Sequence, residues 1–194
     1  PATLIVRDDL TQGNWMGVYG SAGYALFAYD GPNEHLISLP PFVASIVQAF
    51  GHASNGPWPT DGTDVRALQD PRNASAPRKI GQYCVPIPWA PGWDPSYPFD
   101  IVLTPEAEGV QMYRIAVYLV DFDSKGRKET VNLLDRFTFN PIAPTELLDG
   151  ESFVGGRWLV WQYDRSVRLR FNYVRGDNQV VSAILFDAVN ATTT

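Results

Sequence analysis

Cysteine is nearly absent: Cys84 is the single one, so no disulfide can close within the chain. At 194 residues the chain is long enough to build a core without one. A lone cysteine leaves the redox compartment open. Histidine is scarce, with only His35 and His52. Neither stands in a nucleophile or zinc motif, and neither G-x-S-x-G nor H-E-x-x-H occurs. Charge is low, at 19% Asp, Glu, Lys and Arg, and the balance is acidic, net −6. Without a basic block, nucleic acid and anionic membrane surfaces are disfavoured as partners. No apolar run approaches the roughly 20 residues that span a bilayer. The first residues, PATLIVRDDL, lack the charged start and long apolar region of a signal peptide and read as the start of a mature or excised segment. Long helical periodicity is missing too.

What is present is aromatic and turn-forming. There are six Trp, nine Tyr and ten Phe beside 16 Pro and 16 Gly, and 45% of residues are hydrophobic, which suits a packed core with many turns. No internal repeat or linker divides the chain, so residues 1–194 read as a single domain. Alternation dominates. In MYRIAVYLVDFD (112–123), Tyr113, Ile115, Val117 and Leu119 share one face, and Arg114, Ala116, Tyr118 and Val120 the other. SKGR (124–127) follows, and KETVNLLDRFTF (128–139) alternates again, which reads as a hairpin. RWLVWQYD (157–164) and VRLRFNYVRG (167–176) read as a second hairpin, and QVVSAILFDAV (179–189) as a further strand. Near the start, WMGVYG and YALFAYD flank a Gly-Ser-Ala-Gly turn, 20–23, with Trp15, Gly17 and Tyr19 alternating on a strand. Short strands, short turns and no βαβ spacing predict an all-β fold, an antiparallel β-sandwich or jelly roll with little helix.

Residues 31–99 depart from this pattern. SLPPFVASIVQAFGHA holds one candidate strand. CVPIPWAPGWDPSYPFD (84–100) carries five prolines, which do not suit a central ladder, so about 84–98 reads as a long surface loop inserted in the domain.

The order of motifs is also informative: DLTQGNWMGVYGSAGY, W-x-TDGTDVRALQ, YLVDFDSKGRKETVNLLD, FVGGRWLVWQYDRSVRLRF and NQVVSAILFD. Together they resemble a β-sandwich accessory domain found at the ends of secreted bacterial and fungal polysaccharide-active enzymes, over most of residues 8–187. The resemblance implies a secreted carbohydrate-binding module beside a glycoside hydrolase or lyase. In that pattern a Cys-Trp-Tyr run leads almost directly into the next strand. Here the stretch from about 84 to 98 is an insertion carrying Trp89, Trp93 and Tyr97.

No catalytic constellation stands out. Asp121/Asp123 and Glu106/Glu108 are paired carboxylates, but the aspartates sit by a turn and read as a solvated hairpin end. DFDSKGRKE (121–129) begins like a calcium loop, yet Lys125 stands where an oxygen ligand is wanted, and a hairpin turn with Gly126 at positive φ explains it better. No cofactor is expected; a structural calcium would be ordinary for a jelly roll but is not indicated. Sugar binding asks for aromatic faces with polar groups at their edges. Trp15 and Trp161 read as core, whereas Trp158, after Gly155-Gly156 at a strand entry, reads as a loop edge. Trp58 lies between Pro57 and Pro59, and Trp89 and Trp93 lie in the insertion; each is either a ligand contact or a ring folded over prolines. Arg66 is either the polar partner of a sugar or the ion-pair partner of Asp64.

The expected function is therefore a non-catalytic carbohydrate-binding module that targets an attached enzyme to polysaccharide, with Trp58, Arg66, Trp89, Trp93, Tyr97 and Trp158 as ligand-binding residues. The alternatives are a structural or interaction domain that binds no sugar, and a small polysaccharide-degrading enzyme. The expected partners are a polysaccharide or oligosaccharide, neutral or mildly acidic, and a catalytic domain. The expected location is extracellular, and sequons at Asn73 and Asn190 favour a secreted eukaryotic source.

Overall fold

The computed structural model describes residues 3–48, 54–58, 60, 62–84 and 96–189. Within them the chain forms β1 (Thr3–Asp8), β2 (Gly23–Gly31), β3 (Glu34–Ser38), β4 (Val43–Gln48), β5 (Ser54–Trp58), β6 (Ile80–Cys84) and β7 (Ser96–Leu103). It continues through β8 (Tyr113–Leu119), β9 (Lys128–Asp135), β10 (Glu146–Leu148), a single helical turn α1 (Gly150–Phe153), β11 (Arg157–Tyr163), β12 (Val167–Arg175), β13 (Val180–Val181) and β14 (Ala183–Ala188). Among the described residues no helix is long and apolar enough to cross a membrane.

The fold is an all-β antiparallel sandwich. A six-stranded sheet in the order β1-β11-β8-β14-β2-β3 faces a five-stranded sheet in the order β10-β9-β12-β7-β4. Between them lies the main core, with Phe27, Ile115, Val117, Trp161, Ile184 and Phe186 on one side and Phe99, Ile101, Val131, Leu133, Leu169 and Phe171 on the other. Strand alternation puts the remaining residues of the six-stranded sheet on its outer face. That face is also buried. Leu26, Ala116, Tyr118, Trp158, Val160, Ala183 and Leu185 pack under Trp15, Tyr19, Ala67, Leu68 and Ile80, so segments 11–20 and 62–80 form a third layer over a second core. Burial on both faces explains why β8 and β14 are nearly continuously apolar although antiparallel.

A small third sheet, β13-β6-β5, crosses β2. The backbones meet so closely that a Cβ on Gly81 would stand 2.3 Å from the Ala28 carbonyl oxygen. At the edge of the sandwich, Arg7 of β1 donates to both carboxylate oxygens of Glu146 of β10, at 2.6 and 2.8 Å, tying the two main sheets together.

Neither expected hairpin exists. β8 pairs with β11 and β14, whereas β9 pairs with β10 and β12 in the opposite sheet. β11 and β12 likewise belong to different sheets. Alternation identifies a strand but not its partner, and each connection crosses between the stacked sheets. The strand expected over 179–189 is broken at Ser182 into β13 and β14. Residues 15–20 are a turn and not a strand: the Trp15 carbonyl accepts the N–H groups of Val18 and Tyr19. Trp15 and Trp161 are buried as expected. The strand expected within SLPPFVASIVQAFGHA is β4. Of the loop expected over about 84–98, Cys84 instead ends β6 and residues 96–98 begin β7, with Pro98 opposite Arg170, and residues 85–95 lie outside the described residues. That proline stands near the start of its strand, at the rim of the sheet.

Candidate functional site

Residues 62–66, 120–127 and 150–156 come together around Arg66, which reaches the carbonyls of Phe122 and Val154. Trp58 ends β5, opposite Ile80 on β6, and is half-buried against the second core. It was expected in a loop; β5 is the edge strand of its sheet, where Pro57 is tolerated. The Trp58 ring lies 6.1 Å from the Phe122 ring at 31°. On Phe122 lies the Arg66 guanidinium, 4.3 Å from the ring centroid. A cation over an aromatic face is held by the ring quadrupole.

Arg66 is fixed on every side. It donates through Nε to Asp64 Oδ1 at 3.1 Å, through Nη2 to Asp64 Oδ2 at 2.8 Å, and through Nη1 to the carbonyls of Phe122 and Val154, both at 3.2 Å. The hydrogen bond from Arg66 holds the Asp64 carboxyl below the usual carboxylate range. Both side chains of the pair remain 25% exposed. Of the two expectations for Arg66, the ion pair with Asp64 is realised, and it holds the guanidinium beside an aromatic pair. Tyr118 Oη donates to the Arg66 carbonyl at 3.0 Å. Beneath Tyr118 lies Trp158, stacked at 4.6 Å and 28°.

Trp158 is the clear correction. It is wholly buried, and its Nε1 donates to the Gln12 carbonyl at 2.8 Å. It lies on the outer face of β11, which the third layer covers, so it is the floor of the site and not a ligand contact. Tyr97 lies in β7 opposite Phe171, in a strand and not in the expected loop. Trp89 and Trp93, like His52 and Asn190, fall outside the described residues. Trp58 and Arg66 are the two expected residues that the fold brings together, through Phe122, which the sequence reading did not single out.

Of the carboxylates considered for catalysis or metal binding, Asp121, Asp123 and Glu108 are engaged. Asp121 is buried, not solvated as expected, and with Asp123 it accepts from Nη1 of Arg127. Arg127 Nε donates to Asn178 Oδ1 at 2.8 Å. Gly126 does take positive φ, +66°. Glu108 Oε1 accepts from the Ser166 N–H at 3.0 Å and from its hydroxyl. Among the described residues no group of three or more His, Cys, Asp or Glu is placed to hold a metal ion. Burial raises the Cys84 thiol to about 11, so it is not a reactive thiolate at neutral pH. His35 Nδ1 accepts the Ala28 N–H at 3.0 Å, and burial lowers its pKa, so it is a neutral structural imidazole.

A second feature lies on the same layer. An open, almost wholly apolar depression of about 210 Å³ is lined by Trp15, Met16, Tyr19, Tyr24 and Pro71, with Gly17, Gly20 and Ser21 at its mouth. Local alternation hides it, because its walls come from a turn, a strand and a distant loop.

Comparison with protein-family models, characterised proteins and solved structures returns no match to this chain.

Proposed function

We propose that this chain is a non-catalytic carbohydrate-binding module, acting outside the cell to hold an attached polysaccharide-active enzyme against its substrate. The observation that carries this reading is the Trp58–Phe122–Arg66 shelf. Two rings and a guanidinium form a partly exposed surface that is fixed before any ligand arrives. A pyranose offers flat patches of C–H that cover aromatic faces, and its hydroxyls find partners on the Asp64–Arg66 pair at the ring edge. Pre-fixed side chains lose little entropy on binding. Because Arg66 is already neutralised by Asp64, the surface favours a neutral sugar over a polyanion. The motif order quoted above supports the same reading. A glycan array probed with the purified chain tests it. Retention of at least one polysaccharide without release of soluble sugar is expected; silence across the array refutes the proposal.

One observation favours the rival reading of an interaction domain. Val110, Phe137 and Phe139 are 70%, 68% and 53% exposed. Their loops both join residues 164–166, through Gly109 N–H to the Asp164 carbonyl and Arg136 N–H to the Ser166 carbonyl. An exposed apolar group of this kind suits contact with a neighbouring domain. Array silence combined with tight association to a catalytic domain, lost on changing Phe137 and Phe139 to Ser, would select that reading instead.

A further inference from the structure

The rim of the second core carries two aromatic places, not one. Trp58 and Phe122 border it at the loop end; Met16 and Tyr24 border it at the depression. One short stretch of chain braces both. Arg66 holds Phe122, and three residues later Gln69 holds the depression: its carbonyl accepts Trp15 Nε1 at 3.2 Å, and its Oε1 accepts the Met16 N–H at 3.2 Å. Three residues span at most about 11 Å of extended chain, which bounds the separation of the two bracing backbone positions.

The depression is shaped to take one ring. Its volume of about 210 Å³ lies below that of a pocket for a larger ligand. Trp15 and Tyr24 meet at 57° with centroids 5.9 Å apart, so they already touch; Trp15 is buried, and the surface left for a ligand is that of the half-buried Met16 and Tyr24. Gly17 has φ +82°, and a Cβ there would meet nothing within 4 Å, which leaves the mouth open. No charge is on offer. The Asp187 carboxylate beside the mouth is saturated by the Gly20 N–H at 3.1 Å and by the Ser21 N–H and hydroxyl, both at 2.7 Å, with Arg114 at 3.7 Å. An uncharged ring that presents an apolar face and keeps its polar groups at the rim fits this surface.

We propose that the depression is a second subsite for the glycan bound at Trp58, taking the apolar face of one uncharged pyranose further along the same chain. This rests on the carbohydrate-binding reading above. Two weak subsites joined by one ligand gain affinity through effective concentration, so binding depends on chain length.

The test is calorimetric titration with neutral gluco-, xylo- and manno-oligosaccharides, each graded from disaccharide to octasaccharide. Wild type is compared with Tyr24→Ala and Gly17→Asn. Asparagine tolerates the left-handed backbone of Gly17 and adds bulk at the open mouth, so this variant keeps the test meaningful if Tyr24→Ala fails to fold. For the series that binds, affinity should rise about tenfold or more from the shortest to the longest chain. Filling or emptying the depression should remove that rise and leave the disaccharide affinity unchanged. Disaccharide binding with no dependence on length, or a rise that survives in the folded depression variants, overturns the second subsite alone. Failure of every series to bind overturns the second subsite; the carbohydrate reading falls with it if the glycan array is silent as well.

Discussion

Glu129 is a carboxyl with no room for a charge. It is fully buried, its Oε2 accepts the Val180 N–H at 2.6 Å, and its Oε1 has no hydrogen-bond partner. Burial pushes its pKa well above the ordinary 4.5. Below that ordinary value the group is protonated in both folded and unfolded chains, and its contribution to stability is fully present. As pH rises, the unfolded chain ionises first and the contribution is lost progressively through the folded value. Glu129→Gln keeps an acceptor for Val180 and removes the titration. Urea midpoints measured from acid to neutral pH should therefore fall more steeply for wild type than for Glu129→Gln; parallel curves would show that the carboxyl finds a charged partner. Tryptophans test burial more bluntly. Trp161→Ala and Trp158→Ala should each destabilise by about 3–5 kcal/mol, read by thermal or urea melting. The first was legible from its apolar neighbours in LVWQY. Trp158 was not, because the residues that bury it, around Gln12, Tyr19 and Tyr118, come from distant or opposite-facing positions that local sequence does not reveal. A parent-like melt for Trp158→Ala would return it to the surface.

Among the elements, the strands of clear alternation, β8, β9, β11 and β12, were readable and their partners were not, while β1, β3, β5, β6 and β10 went unread. The alternation of 112–123 and 128–139 marks β8 and β9, which end earlier, at Leu119 and Asp135, yet nothing in it says that the chain crosses from one sheet to the other at 120–127. The expectation of little helix holds: among the described residues the single turn α1 is the one α-helix. The short segment from α1 to β11 shows how an element end builds the site. Gly156 has φ +89°, and a Cβ there would fall 2.0 Å from Tyr118 Oη, the hydroxyl that holds the Arg66 carbonyl. Gly156→Ala combines a strained backbone with a displaced tyrosine. A loss of roughly 1–3 kcal/mol is expected in urea unfolding, with weaker glycan binding in parallel. Wild-type stability in that variant would show that Tyr118 does not brace the shelf.

At the scale of the whole molecule, a sandwich with one core would leave the outer face of its larger sheet to solvent. Here segments 11–20 and 62–80 cover it, and the aromatic stretch TQGNWMGVYGSAGY serves as that cover. Trp15 and Tyr19 pin the layer down, while Met16 and Tyr24 form its border with water. The proposed binding residues follow from this arrangement: among the described rings packed against the second core, those that reach the surface do so where the third layer stops, at Trp58 and Phe122 and around the depression. Composition alone, rich in tryptophan and poor in charge, points toward such a surface but not to its place. The most direct measurement is a titration of the array's best glycan against wild type and Trp58→Ala, each checked by thermal melting. Stacking of a sugar on the Trp58–Phe122 shelf predicts about tenfold weaker binding by a variant that still melts cooperatively, in line with the roughly 1.4 kcal/mol that one aromatic contact contributes. Undiminished affinity in folded Trp58→Ala would contradict it.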